Sequence, residues 1–291
     1  MNSREGNILK DYLELSKIKI MVPVSLSGLT GYFIYKSEFA PALIFVTAGI
    51  LCLAVAASVL NQLQEIQTDN LMERTRNRPL PTGRISARNA ALFFVFSFIT
   101  GTLFIIATGS IRAMIISYIT LAWYNGIYTY LKKQTAFAVL PGALTGALPP
   151  LIGWVAAGGS ASDRTILVIQ LLFFIGQIPH FWLFILKYGN EYKLAGLPSL
   201  TSVLDRTAIK RLIFFWIVAS VCLSGCLYFF GILKNRMLVT MLLTASLVLV
   251  IAFIRLIPGN VIIRPGRYSV LLNFYFLLIM ILLISDRLMP D

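Results

Sequence analysis

Residues 61–81 read NQLQEIQTDNLMERTRNRPLP, and this stretch organises the interpretation of the whole chain. It begins as the polar end of an apolar helix and runs directly into a cluster of arginines. Asn61, Glu65 and Asp69 are spaced four residues apart, so a continuous helix would stack their side chains along one face. Oxygen ligands of this kind suit a hard divalent cation, and the arginines beside them suit phosphate oxygens. An ordinary solvated loop, in which these carboxylates pair with the arginines, is the alternative.

The composition excludes a soluble globular protein. The chain of 291 residues is 58% hydrophobic and 13% charged, with a mean hydropathy of +0.81. Its apolar runs are about 20 residues long, which is enough for a helix to cross a bilayer. We therefore expect an all-α membrane protein, with residues 1–291 forming one polytopic domain in the lipid bilayer. Nine transmembrane helices are predicted, at residues 19–37, 41–62, 89–108, 112–131, 138–158, 165–187, 209–232, 237–256 and 268–285.

The net charge of +13 could suggest a nucleic-acid partner, but the distribution of basic residues favours a membrane explanation. With the N-terminus inside and nine alternating spans, 19 of the 25 Lys and Arg residues fall on the inner side. Cytoplasmic segments of membrane proteins collect Lys and Arg. We therefore predict no nucleic-acid partner and a location in the inner (plasma) membrane. The N-terminus and the connections at about 63–88 and 188–208 are predicted to be cytoplasmic.

A second polar segment, KYGNEYKLAGLP at residues 187–198, lies on the same predicted face. Glu191 is its only acid, flanked by Asn190, and alone it is a weak signal. Glu191 becomes informative because it lies on the same predicted membrane face as the first cluster. The end of the fourth span adds Tyr128 and Lys132 on that side, for which interfacial aromatics and snorkelling lysines are the alternative explanation.

His180 is the only histidine of the chain, and it falls within the sixth predicted span. Ionisable side chains at that depth usually face an interior cavity and have a function. A neutral histidine bonded to a helix carbonyl is the alternative, and Pro179 beside it would free such a carbonyl. The three cysteines all lie in apolar runs without metal-ligand spacing, so neither zinc nor disulfides are expected.

The first cluster, NxxxExxxDxLMxRTxxRPLPxGRI at residues 61–85, resembles the first acidic motif of the UbiA superfamily of intramembrane prenyltransferases. It is most similar to the protoheme IX farnesyltransferase (heme O synthase) branch. Further segments that match this branch in order are YTxLKKxT at 128–135, GALPPLIGW at 146–154, PHF at 179–181 and EYxxAGxP at 191–198. The matched stretches span roughly residues 17–206, and the last three spans match in hydropathy alone.

The resemblance implies a Mg²⁺-dependent enzyme that transfers a farnesyl group from farnesyl diphosphate to protoheme IX (heme b), giving heme O. It also implies a bundle whose cavity opens to the cytoplasmic face. The implied catalytic residues are Asn61, Glu65, Asp69 and Glu191, and the same four with Asn190 are the implied metal ligands. The implied diphosphate-binding residues are Arg74, Arg78, Lys132, Tyr128, Lys187 and Lys193. The implied acceptor-binding residues are His180, Trp154 and Trp182.

The chain departs from the family pattern at two of these positions. The family normally has Asp where Glu65 stands, and an acidic residue is common where Asn190 stands. Glutamate is one methylene longer and can still bind the ion, whereas asparagine offers only a neutral oxygen. Both changes weaken the second metal position and leave room for a diverged substrate.

Two other functions are compatible with parts of the sequence. A UbiA-type enzyme could act on a quinone or another aromatic acceptor instead of heme. A secondary transporter could bind an anion at a basic cytoplasmic mouth, but it should carry ionisable groups deep within several spans. Apart from His180 the predicted spans lack such groups, which favours a cavity that opens on one side.

Overall fold

The computed structural model describes residues 8–258 and 263–289, and within them every regular element is a helix. Residues 1–7, predicted as part of the polar N-terminus, lie outside the described residues, as do residues 259–262 of the last predicted polar connection. The helices are α1 (Ile8–Leu15), α2 (Ile18–Lys36), α3 (Pro41–Gln64), α4 (Ile66–Leu71), α5 (Ala87–Ala107), α6 (Ile111–Ala122), α7 (Thr129–Leu131), α8 (Val139–Ala156), α9 (Arg164–Leu194), α10 (Arg206–Phe229), α11 (Arg236–Phe253) and α12 (Pro265–Leu288). A π-helix covers Trp123–Tyr128, and 3₁₀ turns cover Leu200–Ser202 and Ile254–Leu256.

Eight helices in the described residues are long and apolar enough to cross a membrane. They are α2, α3, α5, α8, α9, α10, α11 with its 3₁₀ turn, and α12. Large hydrophobic side chains on these helices are exposed, as a lipid-facing surface requires. The chain is therefore an all-helical integral membrane protein, as predicted.

The fourth predicted span, at residues 112–131, is not one continuous α-helix. It consists of α6, the π-helix and α7 in direct succession, so it does not count among the eight. Asn125 within the π-helix is buried, and its side chain donates to the Ala57 carbonyl of α3 at 3.0 Å. The Gln64 side chain donates back to the Asn125 carbonyl at 3.2 Å. These bonds hold the π-helix against the end of α3, a tertiary contact that hydropathy cannot reveal.

Helices α2 and α8 approach each other closely enough that only glycine fits between them. A Cβ atom at Gly153 would overlap the carbonyl oxygen of Gly28, and one at Gly31 would overlap the carbonyl oxygen of Pro150. Small residues allow membrane helices to bring their backbones together. This glycine seam (Gly28, Gly31 and Gly153) fixes α2 beside α8 and thereby forms one wall of the cavity described below.

Candidate active site

A cavity of about 470 Å³ enters the bundle from the end where α3, α4, α7 and the C-terminal part of α9 lie. Its outer part, called the mouth here, is lined by Lys17, Asn61, Glu65, Asp69, Arg74, Arg78 and Lys132. Deeper, the lining changes to aromatic and aliphatic side chains with a few hydroxyl and amide groups. Four cationic side chains face two carboxylates in the mouth, so the mouth suits an anion, and the inner part suits an apolar chain.

The three acidic-motif residues face the same cavity, but the helix that carries them is interrupted. Helix α3 ends at Gln64, and Glu65 has φ −120° and ψ 11°, outside the helical range. Helix α4 starts at Ile66, and the Asp69 amide donates to the Glu65 carbonyl at 2.8 Å. The prediction of one continuous helix was therefore wrong at Glu65. The side chains of Asn61, Glu65 and Asp69 nevertheless all line the mouth.

Each carboxylate of the first motif is paired with a cation from the mouth. Glu65 lies 2.6 Å from the ammonium of Lys132, and Asp69 lies 2.8 Å from the guanidinium of Arg78. Both carboxylates are almost fully buried, so removing a cation would leave an uncompensated charge, which costs several kcal/mol. The solvated-loop alternative required pairing with the arginines; this is present for Asp69 alone, in a buried cavity, whereas Glu65 pairs with a lysine of the fourth span.

Asn61 is also held in place by the interrupted fourth span. Its amide nitrogen donates to the hydroxyl of Thr129 at 3.0 Å, and this hydroxyl donates to the Tyr124 carbonyl at 2.9 Å. Asn61 and Thr129 are both buried. This chain of bonds orients the Asn61 side chain, whose oxygen is left for another partner.

The second polar segment reaches the first across the mouth. The Glu191 carboxylate near the end of α9 accepts a hydrogen bond from the Arg74 backbone amide at 2.9 Å. The Arg74 guanidinium lies over the rings of Phe184 and Tyr188, at 4.8 and 5.2 Å from their centroids. Helix α9 has 31 residues, about 46 Å at 1.5 Å per residue, so it is longer than a span needs and carries Glu191 beyond the apolar region. Two segments 117 residues apart therefore meet at one end of the bundle.

Glu191 itself is absent from the cavity lining, and so are three other predicted site residues of this segment. Asn190, Lys187 and Lys193 are exposed and are absent from its lining. The ammonium of Lys187 instead lies over the ring of Tyr188, at 4.8 Å from its centroid. Along one helix turn only part of the circumference can face the cavity, and here Tyr192 takes that direction.

Aromatic rings form the wall just inside the mouth. Tyr124 and Tyr128 stack with centroids 5.5 Å apart, and Tyr128 lies 6.1 Å from Phe181 of α9. The Lys132 ammonium lies 5.5 Å from the centroid of the Tyr128 ring. Ring faces at this position can stabilise a positive charge that develops next to the mouth.

The predicted acceptor-binding residues separate into one that lines the cavity and two that do not. His180 lines it, on the side of α9 that faces Asn273 of α12. Trp182 points to the other face of α9, where its ring packs against Trp216 of α10. Trp154 lies near the far end of α8 and donates to the Ser160 carbonyl at 2.9 Å. Both tryptophans are buried in helix packing and absent from the cavity lining.

Lys17 is a mouth residue that is not among the predicted site residues. It precedes α2 directly, with φ 48° in the left-handed region that non-glycine residues rarely adopt. Burial, together with repulsion from Arg78 and Lys132, lowers the pKa of its ammonium to about 7. Its position directly before the first apolar span was the sequence feature that could have identified it as a residue of the mouth.

The mouth fits a metal ion that is shared with a bound ligand. In the described ranges no three His, Cys, Asp or Glu side chains are grouped to hold an ion by themselves. Magnesium is usually held by one or two protein carboxylates together with phosphate oxygens of the substrate. Glu65 and Asp69, with the amide oxygen of Asn61, provide such a partial ligand set, so a metal–diphosphate complex fits the mouth.

Known proteins with similar sequences belong to one family of prenyltransferases. Residues 24–262 match the model of the UbiA prenyltransferase family. A protoheme IX farnesyltransferase of Oleidesulfovibrio alaskensis is 32% identical, over 98% of this chain and 99% of the relative. One of Geobacter sulfurreducens is 35% identical over 77% of this chain and 83% of the relative.

Solved structures show the same fold at low sequence identity. A UbiA homologue from Aeropyrum pernix superposes with a TM-score of 0.76 at 17% identity, covering 92% of this chain and 98% of that one. A UbiA homologue from Archaeoglobus fulgidus bound to GPP and Mg²⁺ superposes with a TM-score of 0.73 at 14% identity, covering 96% of this chain and 98% of that one.

Proposed function

This chain belongs to the UbiA prenyltransferase family, and we propose that it transfers a farnesyl group from farnesyl diphosphate to protoheme IX with the help of Mg²⁺. The choice of heme as acceptor rests on relatives that are named protoheme IX farnesyltransferases and match most of the chain. These names favour heme over a quinone, and family membership as a prenyltransferase removes the transporter alternative. The positive-inside distribution of Lys and Arg supports placing the mouth on the cytoplasmic side of the inner membrane.

The observation that carries the proposal is the composition of the mouth. Asp69 and Glu65 are buried beside an excess of cations, at the entrance of a cavity that becomes apolar inside. An amphipathic diphosphate ester fits this gradient, with its charged end in the mouth and its hydrocarbon chain in the inner part. Mg²⁺ bound there with the substrate would neutralise the negative charge that builds up on the departing pyrophosphate.

The protein side chains bind the diphosphate and orient it for ionisation. Arg74, Arg78 and Lys132 donate charge-assisted hydrogen bonds to its oxygens, and Lys17 faces the same space. Cleavage of the carbon–oxygen bond leaves an allylic cation next to the ring wall. The faces of Tyr128 and Phe181 stabilise it by about 0.5–2 kcal/mol each, and the surrounding helices keep water away.

The direct test is incubation of the purified protein with heme b, farnesyl diphosphate and Mg²⁺, followed by mass analysis of the porphyrins. We expect a product heavier than heme b by a farnesyl group and a hydroxyl group, because addition of the farnesyl cation to a heme vinyl group leaves a carbocation that water captures with loss of a proton. No such product should form when Mg²⁺ is chelated. An aromatic or quinone precursor should be tested in parallel. Prenylation of that compound, with heme left unchanged, would refute heme as the acceptor.

His180→Ala should impair use of the acceptor more than binding of the prenyl diphosphate. His180 faces the cavity below the mouth, where an acceptor has to meet the allylic carbon. We expect the KM for heme to rise about tenfold or more, the effect of one lost polar contact. The Kd of the unreactive analogue farnesyl thiodiphosphate should stay nearly unchanged.

Trp182→Phe is the control for this variant, because Trp182 lies on the opposite face of the same helix. This substitution should change neither the KM for heme nor the Kd of farnesyl thiodiphosphate. If His180→Ala weakens both ligands equally, or neither, the histidine is structural.

Diphosphate binding should depend on pH through Lys17. Below pH 7 its ammonium is charged with or without ligand, so binding takes up no proton. Above pH 7 the free protein has lost this proton, and a bound anion restores it by raising the pKa. Affinity for farnesyl thiodiphosphate should therefore fall as pH rises above 7, by up to about tenfold per pH unit for one proton.

Calorimetry in two buffers of different ionisation enthalpy measures this proton uptake directly. Lys17→Met should abolish it, whereas Lys19→Met should not, because Lys19 is exposed and outside the cavity lining. Proton uptake that persists in Lys17→Met would assign it to another group.

A further inference from the structure

A second cavity, of about 550 Å³, lies between the end of α11 and the start of α12. Three arginines line it, Arg255, Arg264 and Arg267, together with aliphatic side chains that include Ile251 and Leu271. We call it the arginine groove. None of its lining residues lines the active-site cavity, so it is a separate site.

The groove lies where membrane spans end. Arg255 is next to the last residue of the span Arg236–Leu256, and Arg267 is in the first turn of the span Pro265–Leu288. Ile251 lies one helical turn before Arg255, and Leu271 lies one turn after Arg267, so both are deeper in the apolar region. The groove is therefore cationic at the depth of lipid headgroups and aliphatic at the depth of acyl chains.

The three arginines have no carboxylate partner among residues 8–258 and 263–289. The ion pairs found there involve Lys36, Arg78, Arg84 and Lys132. Arg255, Arg264 and Arg267 are all exposed. Three unneutralised charges around one cavity repel one another, and an anion between them removes this repulsion.

The groove is on the same end of the bundle as the active-site mouth. A Cβ atom at Gly266, in the first turn of α12, would lie 3.7 Å from the ammonium of Lys187. Lys187 is one turn before Glu191, whose carboxylate contacts Arg74 at the mouth. Lys187, which does not contact the active-site cavity, thus adds a fourth positive charge near the groove.

We propose that the arginine groove binds the headgroup of an anionic phospholipid, with an acyl chain along Ile251 and Leu271. Basic pockets between transmembrane helices at the membrane surface recognise lipids of this class. The aliphatic part of the lining distinguishes this ligand from free phosphate, which would leave it uncovered. A phosphodiester with one negative charge and two acyl chains, as in phosphatidylglycerol, satisfies both parts of the lining.

The test compares lipid binding by the purified full-length protein in neutral detergent, by native mass spectrometry. Phosphatidylglycerol and phosphatidylcholine with identical acyl chains are the probes. We expect a clear preference for phosphatidylglycerol. Replacing Arg255, Arg264 and Arg267 together by Gln should reduce that binding by about tenfold or more, because all three charges that face the headgroup are removed.

The matched control removes three exposed basic residues elsewhere at this end, through Lys10→Gln, Arg76→Gln and Arg88→Gln. It changes the net charge equally and should retain binding within about twofold, because these charges lie outside the groove. Equal losses in both triple variants, or full binding by the groove variant, would overturn the proposal.

Excess inorganic phosphate tests the alternative ligand. It should not displace phosphatidylglycerol, and displacement would identify a free-phosphate site and overturn the lipid assignment. Monodisperse elution and unchanged affinity for farnesyl thiodiphosphate verify that the groove variant is folded. The outcome does not depend on which acceptor the enzyme prenylates.

Discussion

Asp69→Asn should reduce prenyl transfer about a thousandfold, the scale of removing one group that stabilises developing charge in a transition state. Asparagine has nearly the same shape and can still accept a hydrogen bond from Arg78, which lies 2.8 Å from the carboxylate. The substitution therefore removes the negative charge and its capacity to bind Mg²⁺, while Arg78 keeps a partner. Single-turnover rates with saturating farnesyl diphosphate, heme and Mg²⁺ measure the effect.

The control for Asp69→Asn is Glu73→Gln. Glu73 follows α4 in the same segment, but it is exposed and does not line the mouth. It should react at the wild-type rate. If Asp69→Asn reacts within tenfold of wild type while remaining folded, Asp69 is not part of the catalytic apparatus. Rescue by a higher Mg²⁺ concentration would indicate weakened metal binding.

Gly153→Ala should prevent stable folding, the second large effect that we expect. The added Cβ would overlap the backbone carbonyl oxygen of Gly28, and a backbone atom cannot rotate away as a flexible side chain can. Overpacking of a close-packed core costs about 1–3 kcal/mol or more. The loss should appear as aggregation during size-exclusion chromatography, or as a strongly lowered melting temperature of the detergent-solubilised protein.

Gly225→Ala provides the matched control on α10. It is also a helical glycine, but no atom lies within 4 Å of the position that a Cβ would take. Alanine has a higher helix propensity than glycine, so this variant should be as stable as wild type or slightly more stable. If Gly153→Ala has the same melting temperature as Gly225→Ala, the packing of α2 against α8 does not require the glycine seam.

The sequence predicted the helical membrane fold because apolar runs of span length leave few alternatives. It also predicted that the polar segments at 63–88 and 188–208 lie on one membrane face, whereas the ion pairs Asp69–Arg78 and Glu65–Lys132 were not predicted as such. The hydrogen bond between Glu191 and Arg74 agrees with the predicted meeting of the two polar segments. The metal-binding and catalytic roles of these residues, and a single domain at 1–291, stay predictions.

Side-chain direction was the part that the sequence could not supply. Trp182 is two residues from His180, yet two residues along a helix turn the side chain by about 200°, so one faces the cavity and the other faces α10. The break at Glu65 escaped prediction because no proline or glycine marks it in residues 61–71.

The π-helix at Trp123–Tyr128 sets the rotational phase of the residues that follow it. A π-helical turn contains about one residue more than a turn of α-helix and amounts to a one-residue insertion. Without that residue, everything after the turn would rotate by about 100° around the helix axis, and Lys132 would leave Glu65. An insertion or deletion of one residue in the π-helix should therefore disturb the site more than most substitutions there, because it changes which side chains of the fourth span face the cavity.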